Sequence, residues 1–254
     1  MDPQILLTLA VVLAFSTFAL LERVLPGYHY PQRPRWVARG IAWFGIAFLV
    51  GAVVPLWTDT WLSEHALLDL SGWGLWGVIP AAIGYQLLGY AWHRTLHAVG
   101  PLWRLHQTHH SSERVDIWSA LRFHPLDVAG WTVLVSVSSI FLFGVALEAA
   151  LLNAFLASVM AWFGHTNVKT PRWLGYLVAR PESHALHHAR GLHRKNYADL
   201  PLVDMLFGTF QNPDVAPAQA GFWDGASEQT AALLLGRDVA EQRARDMEPQ
   251  TLQA

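Results

Sequence analysis

Cysteine is absent from the 254 residues, and charge is scarce, with Asp, Glu, Lys and Arg at 14% of the chain. The first absence excludes a disulfide framework, thiolate zinc and iron–sulfur sites, and a cysteine nucleophile. The second is far from a soluble surface, since ordinary globular domains carry roughly 25% charged residues. A net charge of −2 leaves no basic face for nucleic acid, which is bound through clustered Lys and Arg. Apolar residues take the place of charge: 53% are hydrophobic, 13 are tryptophan, and mean hydropathy is +0.26. The other excess is histidine, 13 residues against 17 Lys and Arg.

Residues 3–21, 40–57 and 70–92 carry no charge, and 128–164 carry only Glu148. A helix crossing the hydrocarbon needs about 20 apolar residues. The first three stretches therefore predict single spans. The fourth predicts a tight helical hairpin turning near Glu148, either fully crossing or re-entrant. The expected fold is all-α, an integral membrane bundle of four to five spans under a helical cap. All Lys and Arg fall in 23–39, 94–122, 169–195 and 237–245, outside these stretches. Because positive charge marks the cytoplasmic side, the chain is expected to start outside. Residues 22–39 would then lie inside, 58–69 with Asp59, Glu64 and Asp69 outside, and everything from 93 inside except the hairpin.

The opening Met-Asp-Pro-Gln lacks a basic n-region, so 3–21 read as a retained anchor. Trp36, Trp57, Trp61, Trp73 and Trp92 lie near span ends, as in an aromatic belt; Trp43 and Trp162 read as packing. Three regions follow: anchor helices 1–92, a histidine-bearing region 93–211 that includes the membrane hairpin 128–164, and a polar tail 212–254. Within the tail, 226–246 read as a surface helix without chemistry.

Nine histidines fall in two windows. The first reads His93-Arg-Thr-Leu-His97, then His106-Gln-Thr-His109-His110; the second reads His184-Ala-Leu-His187-His188, with His193 beyond. On a helix, residues i, i+3 and i+4 share one face, so each motif aims two or three imidazoles from one stripe. Imidazole suits iron, zinc, copper and nickel. His124, in Arg122-Phe123-His124-Pro125, and His165, in Gly164-His165-Thr166-Asn167, lie at the same membrane depth. Eight to ten imidazoles exceed the needs of one ion, because zinc takes about four ligands, so two metals are expected. Glu113 and Glu182 are the nearest acidic candidates. His193 reads equally well as a packed or solvated side chain and as part of the site; His29 and His65 read as solvated or singly bonded.

The order HxxxH, HxxHH, RxHP, HxN and HxxHH resembles the fatty acid hydroxylase/sterol desaturase superfamily of membrane di-iron enzymes. Asn196-Tyr197-Ala198 and the run from Asp204 to Thr209 resemble that family's ending, so the likeness covers about residues 93–210. It implies that His93, His97, His106, His109, His110, His184, His187 and His188 are metal ligands and catalytic, with His165 and His124 as further ligands. Asn167, Asn196 and Asp204 would be supporting groups around the cofactor or helix caps. Arg122 would pair with a carboxylate or a lipid headgroup. The three residues between His93 and His97 resemble the hydroxylase/sterol branch, since related acyl-CoA desaturases typically have four there. The resemblance does not choose among hydroxylation, C5 desaturation, C4-methyl oxidation and ether cleavage.

On this reading the protein is an O2-dependent oxidoreductase with two iron ions, for which zinc could substitute in purified material. It would act on a lipid drawn from the bilayer and take electrons from a separate donor protein docking on the cytoplasmic face. The alternative is a membrane metal-binding or metal-transport protein without redox chemistry. That reading calls for ionisable groups along the spans, and 3–21, 40–57 and 70–92 have none. An intramembrane zinc protease needs HExxH with its general-base glutamate, which neither motif supplies.

Overall fold

The computed structural model describes residues 3–241, and among these it is all-helical. Helix α1 is Pro3–Val24 and α2 is Trp36–Glu64. Helix α3, Val78–Ala98, is followed by α4, Gly100–His110. Helix α5, Pro125–Ser136, continues as a π-helical turn over Val137–Leu142, and α6 is Leu147–His165. The short α7 (Pro181–His187), α8 (Pro201–Leu206) and α9 (Thr230–Leu234) complete the chain. The helices α1, α2, α5 with its π turn, and α6 are long and apolar enough to cross a membrane.

The third uncharged stretch is helical later than expected. Ser71–Gly77 contains Gly72, Gly74 and Gly77, forms a 3-10 segment, and breaks at Gly74, whose φ is +52°. The α-helix starts only at Val78 and then runs past the expected boundary at 92. His93 and His97 therefore stand on the same rigid helix as the apolar residues before them. Four helices start on proline: Pro101, Pro125, Pro181 and Pro201 lie in the first turns of α4, α5, α7 and α8. There the missing N–H costs nothing and φ is preset.

In the bundle, α2 runs along α5 and α1 along α6, while α3 packs on both α6 and the π turn. The hairpin tip meets the chain leaving α2. Leu67 N donates to Phe141 O at 2.7 Å and Leu70 N to Phe143 O at 3.0 Å. A π turn disturbs the helical ladder, and the buried Ser138 and Ser139 beside it accept hydrogen bonds from Asn153 Nδ2 at 3.3 and 3.0 Å. Gly144 closes the tip at φ +51°, and a Cβ there would lie 2.2 Å from Leu68 O. Left-handed strain and overpacking add, so Gly144→Ala is expected to cost roughly 2–4 kcal/mol. The check is the thermal unfolding midpoint in detergent, which should fall clearly; an unchanged midpoint would contradict this account of the tip.

At the opposite end, the last turns of α3 and α6 and the first turn of α5 meet α4 and α7. The segment between α4 and α5 folds back on the bundle, where Ile117, Ala120 and Trp162 pack around Phe15. Phe15 meets Trp162 edge-on at 5.4 Å. Trp43 and Trp162 are buried as expected, but Trp36 is not a belt residue, because it is buried with its indole N–H donating to Asp116 at 3.0 Å. Trp57, Trp61 and Trp73 are exposed.

The C-terminal region departs most from expectation. In place of a surface helix over 226–246, a 3-10 turn and the five-residue α9 lie against the cap, stopped by Gly225 (φ +104°) and Gly236 (φ +63°). Residues 242–246 of that expected helix lie outside the described residues. Ala226, Leu233 and Val239 are fully buried, and Gln107 ties this segment to α4 by accepting from Val239 N at 3.0 Å. Arg122 is buried, donates to Ser227 O, and lies over the Trp43 ring. Glu113 accepts from Gly225 N at 2.8 Å and Ser227 N at 3.2 Å. Both residues hold the C-terminal segment over the cap.

Candidate metal centre

Nine histidines converge where the bundle meets the cap, in two groups. His93, His97, His106, His110 and His187 form one; His109, His165, His184 and His188 form the other. Within each group the facing nitrogens lie within 4.8 Å of one another. The spacing does this work as expected: α3 supplies His93 and His97, α4 supplies three, and α7 with its C-terminal residue supplies three more. Because His109 and His110 are adjacent, α4 splits its imidazoles between the groups, and so does α7 through His187 and His188. The rings of His110 and His188 stack at 4.3 Å between the two groups.

Four rings have their tautomer set by a partner that can only accept. Nδ1 of His93 donates to Tyr197 O at 2.7 Å, that of His187 to Lys195 O at 2.7 Å, and that of His165 to Ala161 O at 3.0 Å. His106 Nδ1 donates to the Asp127 carboxylate at 2.8 Å. Each ring therefore turns its Nε2 lone pair inward. The Nε2 atoms of His93 and His187 then face each other at 3.1 Å, and that of His165 lies 3.2 Å from those of both His109 and His184. His93 and His187 both carry their proton on Nδ1, so their facing Nε2 lone pairs repel at this distance unless one cation is bound by both. The buried Nε2 of His97 has no hydrogen-bond partner. The donor set therefore fits metal ions, and all-imidazole coordination suits iron, zinc, copper or nickel.

Burial, with neighbouring imidazoles second, holds the pKa values of His109, His110, His184, His187 and His188 well below the ordinary 6.5. At neutral pH these rings are uncharged, as metal ligation requires. A histidine whose folded pKa is depressed takes up a proton on unfolding. Its stabilising contribution is complete above the unfolded value of about 6.5 and is lost as pH falls through the folded values. Both thermal stability and retained metal are thus expected to decline from pH 7 to pH 5. Thermal midpoints and metal content, measured across that window, check this; flat profiles would contradict it.

His124 stands apart from both groups. It caps α5, with Nδ1 accepting from Leu126 N at 3.1 Å and Nε2 donating to Leu234 O at 3.2 Å, so neither nitrogen offers a free lone pair. Asn167 binds the backbone of Tyr28 in both directions at 2.9 Å, tying the α1–α2 connection to the end of α6. Asn196 and Asp204 hold the loop behind the histidines. Asn196 donates to Ser183 O at 2.9 Å, and Asp204 accepts from the N–H groups of Tyr197 and Ala198 at 2.8 Å. Glu182 bonds Thr170 and Arg180 and joins neither group. His29 is exposed, and His65 is exposed with its ring on Trp61 O. The carboxylate at the site is Asp127, which sequence reasoning missed; its signal was a lone acid in the first turn of an otherwise apolar helix.

The fatty acid hydroxylase family model matches residues 78–209, from the start of α3 to just past α8. The chain belongs to the fatty acid hydroxylase family. Every clustered histidine lies in the matched region. The chain is 32% identical over 157 residues to human alkylglycerol monooxygenase, covering 59% of this chain and 34% of that protein. It is 28% identical over 171 residues to the Caenorhabditis elegans alkylglycerol monooxygenase, covering 66% and 32%. It is also 28% identical over 161 residues to ornithine lipid hydroxylase of Rhizobium tropici, covering 62% and 45%. The chain thus spans about a third to under a half of the length of these curated relatives. No solved structure matches it.

Proposed function

We propose that this chain is a lipid monooxygenase that uses two iron ions and O2 to hydroxylate a C–H bond of a membrane lipid. The observation that carries the reading is the pair of inward-facing imidazole groups where the bundle meets the cap, five and four strong. Similarity to enzymes named as lipid-acting monooxygenases and hydroxylases supports the substrate class. His93, His97, His106, His110 and His187 would hold one ion, and His109, His165, His184 and His188 the other.

Bound iron would supply O2 activation, chemistry that no amino-acid side chain provides. The balance is one C–H bond and O2, with two electrons and two protons, giving C–OH and water. The chain's own residues bind, orient and exclude water. Asp127 and the carbonyls of Lys195, Tyr197 and Ala161 hold imidazole protons on Nδ1. Phe123 stacks on His109 at 3.9 Å and Trp131 meets His93 edge-on at 5.6 Å, so apolar rings cover the metal ligands. Such a cover keeps water from a reactive site.

The regions proposed are an anchor over 1–92, the catalytic region 93–211, and a C-terminal segment from 212 that closes the cap. The cations gather at the histidine end, which supports a cytoplasm-facing centre and a separate electron-donor protein docking there. The test supplies the purified chain with iron, a chemical reductant and bilayer lipid extract, and compares O2 with argon. An O2-dependent mass gain of one oxygen in a lipid is the expected result. Metal flux in proteoliposomes without any lipid oxidation would favour transport instead.

A further inference from the structure

The five-histidine group is fixed from behind by one strained loop. Among the described residues, four non-glycine positions have positive φ, and three of them are His193 (41°), Lys195 (70°) and Asn196 (50°). Left-handed backbone costs on the order of 1 kcal/mol at a non-glycine residue. Here it turns alternate carbonyls towards the site. Those of Lys195 and Tyr197 accept from His187 and His93, and that of His193 faces the His97 ring.

His193 also acts through its ring. Its Nδ1 lies 3.2 Å from Nδ1 of His110, and its ring also hydrogen-bonds the Gly221 backbone. A metal-ligating His110 keeps its Nε2 lone pair for the group, so its proton belongs on Nδ1, and Nδ1 of His193 is the lone pair placed to accept it. The His110 Nε2 lone pair then faces His106 Nε2 at 3.2 Å. The ring is kept in place between Trp103 and Phe222, at 6.0 and 5.1 Å. The four-histidine group has no equivalent, since the buried Nδ1 atoms of His109 and His188 are without partners.

We infer that His193 is a positioning residue of the five-histidine metal site, fixing the tautomer and orientation of His110 and making that site the tighter of the two. The inference rests on the metal-binding part of the reading above and not on its lipid chemistry. It also gives the C-terminal segment a part in the centre, because Gly221 orients His193.

The test loads the full chain with cobalt(II), follows the ligand-field absorption, and titrates with a chelator. His193→Gly removes the ring and relaxes the backbone at φ 41°. One of the two cobalt ions should then be held about 10- to 100-fold more weakly, the usual consequence of losing a partner behind a ligand, with its absorption band altered. His193→Asn tolerates left-handed backbone and places Oδ1 where Nδ1 stood. It should hold cobalt about as tightly as the wild type, without the 10- to 100-fold loss. A glycine variant that titrates like the wild type would overturn the inference, as would an asparagine variant that loses cobalt like the glycine one. A wild-type chain taking up no cobalt would instead overturn the metal reading itself, so the two failures are distinct.

Discussion

Alanine in place of His187 is expected to lower lipid oxidation by about 10³-fold or more, equivalent to ~4 kcal/mol of transition-state stabilisation. The ring is fully buried, donates to Lys195 O, and faces His93 Nε2 at 3.1 Å. Its removal takes an inward lone pair from the five-histidine group and leaves a buried carbonyl unpaired. Metal content should fall from about two ions per chain towards one, the number the intact four-histidine group satisfies. His65→Ala, at an exposed ring on the α2 side of the hairpin tip, should change neither quantity. Activity of the His187 variant within tenfold of the wild type would contradict the assignment.

The second large effect is expected at Asp127. Its carboxylate is buried and bonded to His106 Nδ1 at 2.8 Å. Asp127→Leu keeps the volume and removes the acceptor, so His106 is free to carry its proton on Nε2 and turn a donor towards the metal. A 10- to 100-fold loss of metal affinity should follow, with a comparable loss of activity at limiting iron. Asp127→Asn retains an oxygen that accepts from Nδ1 and should recover most of the affinity. Chelator titration of the two variants separates the roles: equal losses in both would mean that charge, rather than proton placement, is what His106 requires.

These residues also show what the amino-acid order makes legible. The all-helical architecture was readable because missing charge is a solvent requirement of the bilayer: Pro3–Val24 contains the expected span 3–21, and Trp36–Glu64 contains 40–57 but extends past it at both ends. The clustered imidazoles were readable because i, i+3, i+4 spacing on a helix is geometry. His165 also lies in the four-histidine group. The division into five and four was not readable, because His109 and His110 are adjacent in sequence yet face different groups. His124 looked like a ligand from its Arg-Phe-His-Pro context, but its N-cap position uses Nδ1 and the distant Leu234 O takes Nε2. Asp127 and His193 were missed or left open because their contacts, to His106 and His110, span the chain by 21 and 83 residues. The C-terminal segment was misread for a related reason. Its small polar composition suggested a surface helix, while its role depends on backbone groups of Gly221, Gly225 and Ser227 that composition does not reveal.

The central claim is that the two histidine groups hold metal ions that put an atom of O2 into a lipid. Its most direct test is isotopic. The iron-loaded chain is given bilayer lipids, reductant and oxygen-18 gas, and the products are read by mass spectrometry. The account predicts a hydroxylated lipid carrying one oxygen-18 atom from the gas, lost in His187→Ala. A product labelled only from water, or no oxidised lipid from a chain retaining two irons, would contradict it.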